Sequence, residues 1–173
     1  MVKEKLGVQM NLLTDIHFDN WKSYHDARLF IDKLSVLIGT NAGGKSNALD
    51  ALTFLNRIAS GSVLTNALQG DVTQSPIRGG LEWAAKQPNS TFTLGATIRY
   101  DETTDYLYEI SCQIYENRCE ISSEELVRVK FRPKKDKGRG KESGRIKIFR
   151  TDPCTKTQPD IVARLYNEKQ GTP

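Results

Sequence analysis

The sequence predicts an α/β (α+β) fold in which a short buried strand, a glycine loop and an amphipathic helix precede an antiparallel β-subdomain. Three observations predict it. The hydrophobic period shifts from short extended runs before residue 40 to a helical repeat over 44–59, then returns to alternation after Asn89. A glycine-rich loop, Gly39 to Ser46, lies at the first shift. The later alternating runs are separated by short polar turns, as in a meander.

Taken in order, Gln9–Leu13, Ile16–Trp21 and Ala27–Ile31 are candidate strands with polar residues between them. Leu34-Ser35-Val36-Leu37-Ile38 is a β-prone run bounded by Lys33 and Gly39, which suits a buried strand. Ala48, Leu49, Ala51, Leu52, Leu55 and Ile58 then share one broad helical face, and Ser60-Gly61 supplies a stop. From Ser62 to Pro88 a short helix is followed by loops at Gln74-Ser75-Pro76 and Arg78-Gly79-Gly80. Thr91–Tyr100, Asp105–Tyr115 and Leu126–Phe131 read as strands, with turns at 101–104 and 116–117. Pro133–Ser143 has Gly and Pro breakers and no large apolar residue, so a solvated loop is expected. Gly144–Arg150 alternates basic with apolar residues and suits a last strand. Asp152–Pro159 reads as loop and Ile161–Lys169 as the start of a helix. The organisation is thus a strand-rich N-terminus with loop and helix (1–61), an antiparallel β-subdomain with a basic hairpin or loop (62–150), and a linker or the start of a helical insertion (151–173).

Of the 173 residues, 38 % are hydrophobic and 27 % charged, the balance of a chain that buries a real core. The net charge of +4 is unevenly spread. Residues 128–150 hold eleven Lys/Arg against two acids, a net +9, which leaves −5 for the rest. No apolar run approaches the length of a membrane span, and the charged Met1–Gly7 leads into no apolar signal segment. Cys112, Cys119 and Cys154 are odd in number and form no CxxC pair. Reduced thiols and a cytoplasmic location are therefore expected. His17 and His25 lack a Cys or carboxylate at ligand spacing, so surface or turn positions are expected for both.

Gly39-Thr40-Asn41-Ala42-Gly43-Gly44-Lys45-Ser46 satisfies G-x-x-x-x-G-K-[ST] in full, between a strand pattern and a helix pattern. Glycines allow successive N–H groups to point inward as an anion nest, and the helix adds its positive N-terminal end. Lys45 would reach the β- and γ-phosphates of a nucleoside triphosphate, and the Ser46 hydroxyl would be a ligand of Mg²⁺. ATP and Mg²⁺ are the expected cofactors, and the fold class becomes a P-loop NTPase N-terminal lobe. Hydrolysis also needs a carboxylate behind Mg²⁺ and a group that orients water. No four-residue apolar run ending in Asp or Glu follows residue 60, so no catalytic residue is identified.

Residues 16–58 resemble the start of an ABC-type ATPase head, in the RecF/SMC-like and OLD-family group of AAA ATPases. The resemblance rests on Trp21-Lys22-Ser23-Tyr24, an aromatic-Lys-Ser element, then on Gly39 to Asn47 as G-x-N-x-x-G-K-S-N, then on the helix through Leu55. Asn41 and Asn47 point to this group over kinases or GTPases, whereas Ala42 stands where the pattern more often has Gly. Ile77-Arg78-Gly79-Gly80, Tyr106-Leu107-Tyr108 and Ser123-Glu124-Glu125-Leu126 more loosely resemble the β-subdomain of these ATPases. The resemblance implies that Lys22 and Ser23 lie near the nucleotide, and that Arg78 contacts nucleotide or DNA. It implies that two heads sandwich ATP, so that the partners are a second head (in a homodimer or as a split partner), DNA and an effector nuclease subunit, with no membrane. It also requires a signature motif, a Walker B Asp-Glu and a switch His, none of which is defensible in residues 60–173. The expectation is the N-terminal lobe of a longer or split ATPase, in DNA repair or antiphage defence, binding ATP with little hydrolysis.

The basic segment suits sequence-independent contact with a nucleic-acid backbone, with Lys134, Lys135, Lys137 and Arg139 as its candidates beside Arg78. A solvated hairpin or an acidic protein partner accounts for the same charges. Two further readings of the whole chain stay open: a small stand-alone P-loop kinase or NTPase, and a nucleic-acid-binding β-domain with a vestigial P-loop.

Overall fold

Seven strands form one antiparallel sheet in the computed structural model, which describes residues 11–134, 139–152 and 160–166. The elements are β1 (Leu12–Asp19), β2 (Ala27–Phe30), α1 (Lys45–Ala59), α2 (Leu64–Gln69), β3 (Thr91–Arg99), β4 (Thr104–Ile114), β5 (Cys119–Pro133), β6 (Arg139–Asp152) and β7 (Val162–Leu165). The spatial order is β2-β1-β3-β4-β5-β6-β7. Because β1 pairs with β3 as well as β2, the N-terminal strands and the later meander share one sheet.

Alternation along the strands gives that sheet an apolar face. Register sets Phe18 opposite Leu94, Leu94 opposite Ile110 and Phe92 opposite Cys112, and all five are essentially fully buried. Helix α1 covers this face with Ala48, Ala51 and Phe54. Trp21, Phe54 and Phe92 close the layer as a ring cluster, with centroids 5.0, 5.7 and 5.9 Å apart. Each such buried side chain stabilises the fold by about 1.5–3 kcal/mol relative to exposure. From α1, the Phe54 ring reaches the Phe92 ring of β3 at 5.7 Å.

Several elements depart from the sequence reading. Among the described residues the candidate strands at 9–13 and 16–21 become one strand, Leu12–Asp19, with a register shift between Leu13 and Asp15 that breaks the apparent alternation; residues 9 and 10 lie outside the described residues. Leu34–Ile38 is not a strand: Leu34, Val36 and Ile38 are 84, 71 and 89 % exposed. A strand needs lateral hydrogen-bond partners, and among the described residues none of the seven strands pairs with this run. On α1, Leu49 faces outward while Asp50 is buried, so the buried face is rotated from the one that the apolar residues alone define. Strands β5 and β6 extend into the expected 133–143 loop, and Pro133 still pairs with Arg139. Where a helix was expected from Ile161 to Lys169, Val162–Leu165 is a strand on β6, and 167–169 lie outside the described residues. The short helix expected after Ser62 is α2.

Cys112 and Cys119 are free and buried. The hydrogen bond between them, together with burial, raises the Cys112 thiol far above its ordinary range, as in inert structural cysteines. Cys154 lies outside the described residues. His17 contacts Asp26 at 3.3 Å and His25 contacts Asn20 at 3.0 Å. Among the described residues no cluster of three His, Cys, Asp or Glu could hold a metal, and no helix is long and apolar enough to cross a membrane.

Candidate nucleotide site

The four residues Trp21 to Tyr24, just after β1, each grip the junction between the glycine loop and α1. Trp21 is fully buried, and its indole Nε1 donates to the Asn47 carbonyl at 2.8 Å. Lys22 Nζ donates to Asp50 Oδ2 and to the Arg78 carbonyl, each at 2.6 Å. Ser23 Oγ accepts from Asn47 Nδ2 at 2.8 Å. Tyr24 donates its hydroxyl to the Gly44 carbonyl at 3.1 Å while its ring stacks on Phe18 at 4.6 Å. Burial raises the Tyr24 pKa, which keeps that hydroxyl a donor. A core aromatic, a lysine, a hydroxyl and a phenol thereby hold one helix end against the sheet.

The loop itself is shaped for an anion. Gly44 caps α1 at φ +84°, a conformation that favours glycine, and a Cβ there would sit tightly, 3.1 Å from Tyr24 Oη. Gly43 N–H donates to the Thr40 carbonyl at 3.2 Å, which closes the turn between Asn41 and Ala42. Lys45 Nζ folds back onto the Gly39 and Thr40 carbonyls at 2.7 and 2.6 Å. No side chain caps α1, and its first turn carries no acid. Asn47 and Ala48 donate to Gly44, but among the described residues no acceptor meets the N–H groups of Lys45 and Ser46. Open donors, a positive helix end and a lysine thus stand together at the start of α1. These groups fit a triphosphate, and the Ser46 hydroxyl beside them fits a magnesium ligand.

Asp50 is the residue that sequence reasoning missed. One turn after Ser46, it interrupts an apolar helical stretch, which was the available signal. Its carboxylate accepts from Lys22 and lies 3.1 Å from Arg78 Nη2. Burial lowers the Lys22 pKa, the hydrogen bond and charge of Asp50 oppose that shift, and Arg78 adds to it. Lys22 and Arg78 are therefore held side by side, with Arg78 still 59 % exposed at the rim.

The sequence candidates separate into two places. Gly39, Asn41, Ala42, Gly43, Gly44, Lys45, Ser46 and Asn47 lie in the loop and first turn, with Lys22, Ser23 and Arg78 beside them. Arg78 thus belongs with the loop and not with the basic hairpin. Arg139, expected to contact nucleic acid, is instead engaged with the Asp105 carboxylate and the Asp101 carbonyl, with its guanidinium over Phe131. It pins the β5–β6 hairpin to the β3–β4 turn. Arg145 pairs with Glu142 inside the segment, while Lys147 pairs with Glu125 and Arg139 with Asp105 outside it, so two of the nine net charges are met by neighbouring strands. Lys130, Arg132, Lys134, Lys141 and Arg150 are exposed, whereas Lys135 and Lys137 lie outside the described residues.

No curated protein and no solved structure matches the chain significantly. A family model does, over about two thirds of its length and across the loop, α1 and the meander. The matched residues, 34–147, place the chain in the family described as "AAA domain, putative AbiEii toxin, Type IV TA system", and it belongs to that AAA-domain family.

Proposed function

We propose that the chain is the Mg²⁺-dependent ATP-binding lobe of an SMC/RecF/OLD-like ATPase. The observation that carries this reading is the pairing of Lys45 with the open N–H groups of Lys45 and Ser46 in one loop, held by Trp21 to Tyr24. The loop amides and the Lys45 ammonium would bind the phosphates, and Lys45 exchanges its two loop carbonyls for phosphate oxygens. Ser46 would supply its hydroxyl to Mg²⁺, which when bound neutralises charge on the β- and γ-phosphates. Lys22, Ser23 and Asn47 would border the nucleotide.

Hydrolysis then rests on a Walker B carboxylate supplied by a longer chain or a split partner, and on the signature motif of a second head that clamps the same nucleotide. The exposed Leu34–Ile38 run leading into the loop supports completion by further β-structure, since it leaves three large apolar side chains in water. The family's description names a toxin–antitoxin setting, which favours defence over DNA repair as the context. DNA at the exposed lysines of the hairpin, and an effector nuclease subunit, are the partners this context implies.

Calorimetric titration with Mg·ATP tests the reading. Wild type binds and Lys45→Ala loses at least tenfold in affinity, with phosphate release near background for both. Equal binding by the two proteins overturns the phosphate cradle. Robust turnover by the isolated chain favours the stand-alone NTPase.

A further inference from the structure

Beside the loop lies a cavity of about 520 Å³, whose lining includes Lys22, Ser23, Asn47, Arg78, Trp83 and Gln87. Its volume falls in the ~300–1,000 Å³ range of small-molecule sites. Two of its lining residues adjoin the glycine loop, since Asn47 stands in the first turn of α1 and Ser23 Oγ would be 3.4 Å from a Cβ on Gly44. What sets it apart is Trp83, a large aromatic side chain that is 57 % exposed. The other tryptophan of the chain is completely buried.

Trp83 is not exposed through looseness. Its backbone N–H donates to the Gly79 carbonyl at 3.2 Å, and its neighbours Leu81, Ala84 and Ala85 are buried. The Ala84 carbonyl accepts from Lys22 N–H, Ala85 bridges to Trp21, and Lys86 N–H donates to the Asn20 carbonyl. The turn is therefore stapled to the same chain segment that grips the loop. Gly79, at φ +75°, makes room for it: a Cβ there would lie 2.7 Å from Trp83 Cβ. The fold fixes the backbone that carries this indole, at a cavity whose other polar side chains are cations, amides and the Ser23 hydroxyl. An exposed indole face is unfavourable in water and well matched to a flat π-system.

The geometry points to Trp83 as the stacking platform for the nucleobase, with the Asn47 and Gln87 amides available to its edge. This rests on the nucleotide reading above and extends it: phosphates at Lys45, ribose past Ser23 and Asn47, base on Trp83. The site is for a nucleoside triphosphate rather than for polyphosphate alone.

The test uses the full chain with two probes, Mg·ATP and Mg·tripolyphosphate, the second lacking a base. Acrylamide quenching of tryptophan fluorescence reads Trp83, since the buried Trp21 is shielded. Mg·ATP protects Trp83 from acrylamide and tripolyphosphate does not. Trp83→Leu weakens Mg·ATP about tenfold, within the range of base–aromatic stacking, and leaves tripolyphosphate affinity within twofold. Trp83→Phe recovers most of the loss. Unchanged ATP affinity in Trp83→Leu, or equal losses for both probes, overturns the base platform while leaving the phosphate cradle standing. Failure of wild type to bind either probe, or indifference of both to Lys45→Ala, instead overturns the nucleotide reading itself.

Discussion

Replacing Asp50 with alanine removes the only carboxylate that contacts both Lys22 and Arg78 among the described residues. The Lys22 side chain is 6 % exposed and would keep just one acceptor, the Arg78 carbonyl, with the Arg78 guanidinium nearby. Breaking a buried pair by deleting one partner costs roughly 3–5 kcal/mol, because the remaining charge stays desolvated. Asp50 is itself 13 % exposed and Arg78 is at the rim, so water can partly replace the lost oxygen. We expect about 3 kcal/mol, the low end of that range. For a chain of this size, that corresponds to a fall in Tm of roughly 6–12 °C. Urea denaturation followed by circular dichroism measures it. The double variant Lys22→Met with Asp50→Leu should recover most of the loss, since two well-packed apolar groups can replace an ion pair at little cost. It would also lose a cation that borders the proposed nucleotide. A loss below about 1 kcal/mol for Asp50→Ala, or a double variant no more stable than the single one, would refute the view that Asp50 offsets a buried charge.

Three other outcomes follow from the same geometry. Ala42 sits at φ +65°, a region that costs a residue with a Cβ about 1–2 kcal/mol; Ala42→Gly should therefore raise stability by about 1 kcal/mol in urea, and a loss would contradict the strain. Because burial holds the Lys22 pKa below its ordinary value, the unfolded chain binds more protons than the folded one between those two values. Stability from this group is lowest while Lys22 is charged in both states, and it rises with pH towards the unfolded value. Denaturation of wild type against Lys22→Met from pH 7 to 10.5 should show that positive difference in slope, and a flat or negative difference refutes it. Finally, charge reversal at Lys134 and Lys141 should weaken DNA binding and reduce the log–log salt slope by about 2. Arg139→Ala should mainly reduce stability, by leaving Asp105 unpaired, and its salt slope should match wild type.

The glycine loop, its lysine and the helix behind it were legible because each depends on local chemistry: glycine at left-handed positions, a helical repeat, and an ammonium one residue into the helix. The strands β3 and β4 and the turns around them were legible for the same reason, since alternation and turn residues act within a few positions. Trp21 to Tyr24 could be noticed as a cluster, but their contacts with Asn47, Asp50, Gly44 and Arg78 span 20 to 56 positions. No local pattern encodes such distances. Asp50 was missed for that reason: nothing within its own helix turn marks Lys22 and Arg78 as its partners. Leu34–Ile38 misled in the opposite direction. Its β propensity is real, but a strand exists only where another strand meets its hydrogen bonds.

What the sequence by itself determined is therefore the glycine loop, the helix and the amount of extended chain. The tertiary structure decided which residues stand around that loop. It drew Lys22, Asp50 and Arg78 into one ion cluster, turned Arg139 into a hairpin clasp and fixed the Trp83 turn against the Asn20–Lys22 segment. The physical reason is that loop conformation and helix period arise from neighbours in the chain, whereas burial, charge pairing and cavity shape arise from elements that only folding brings together.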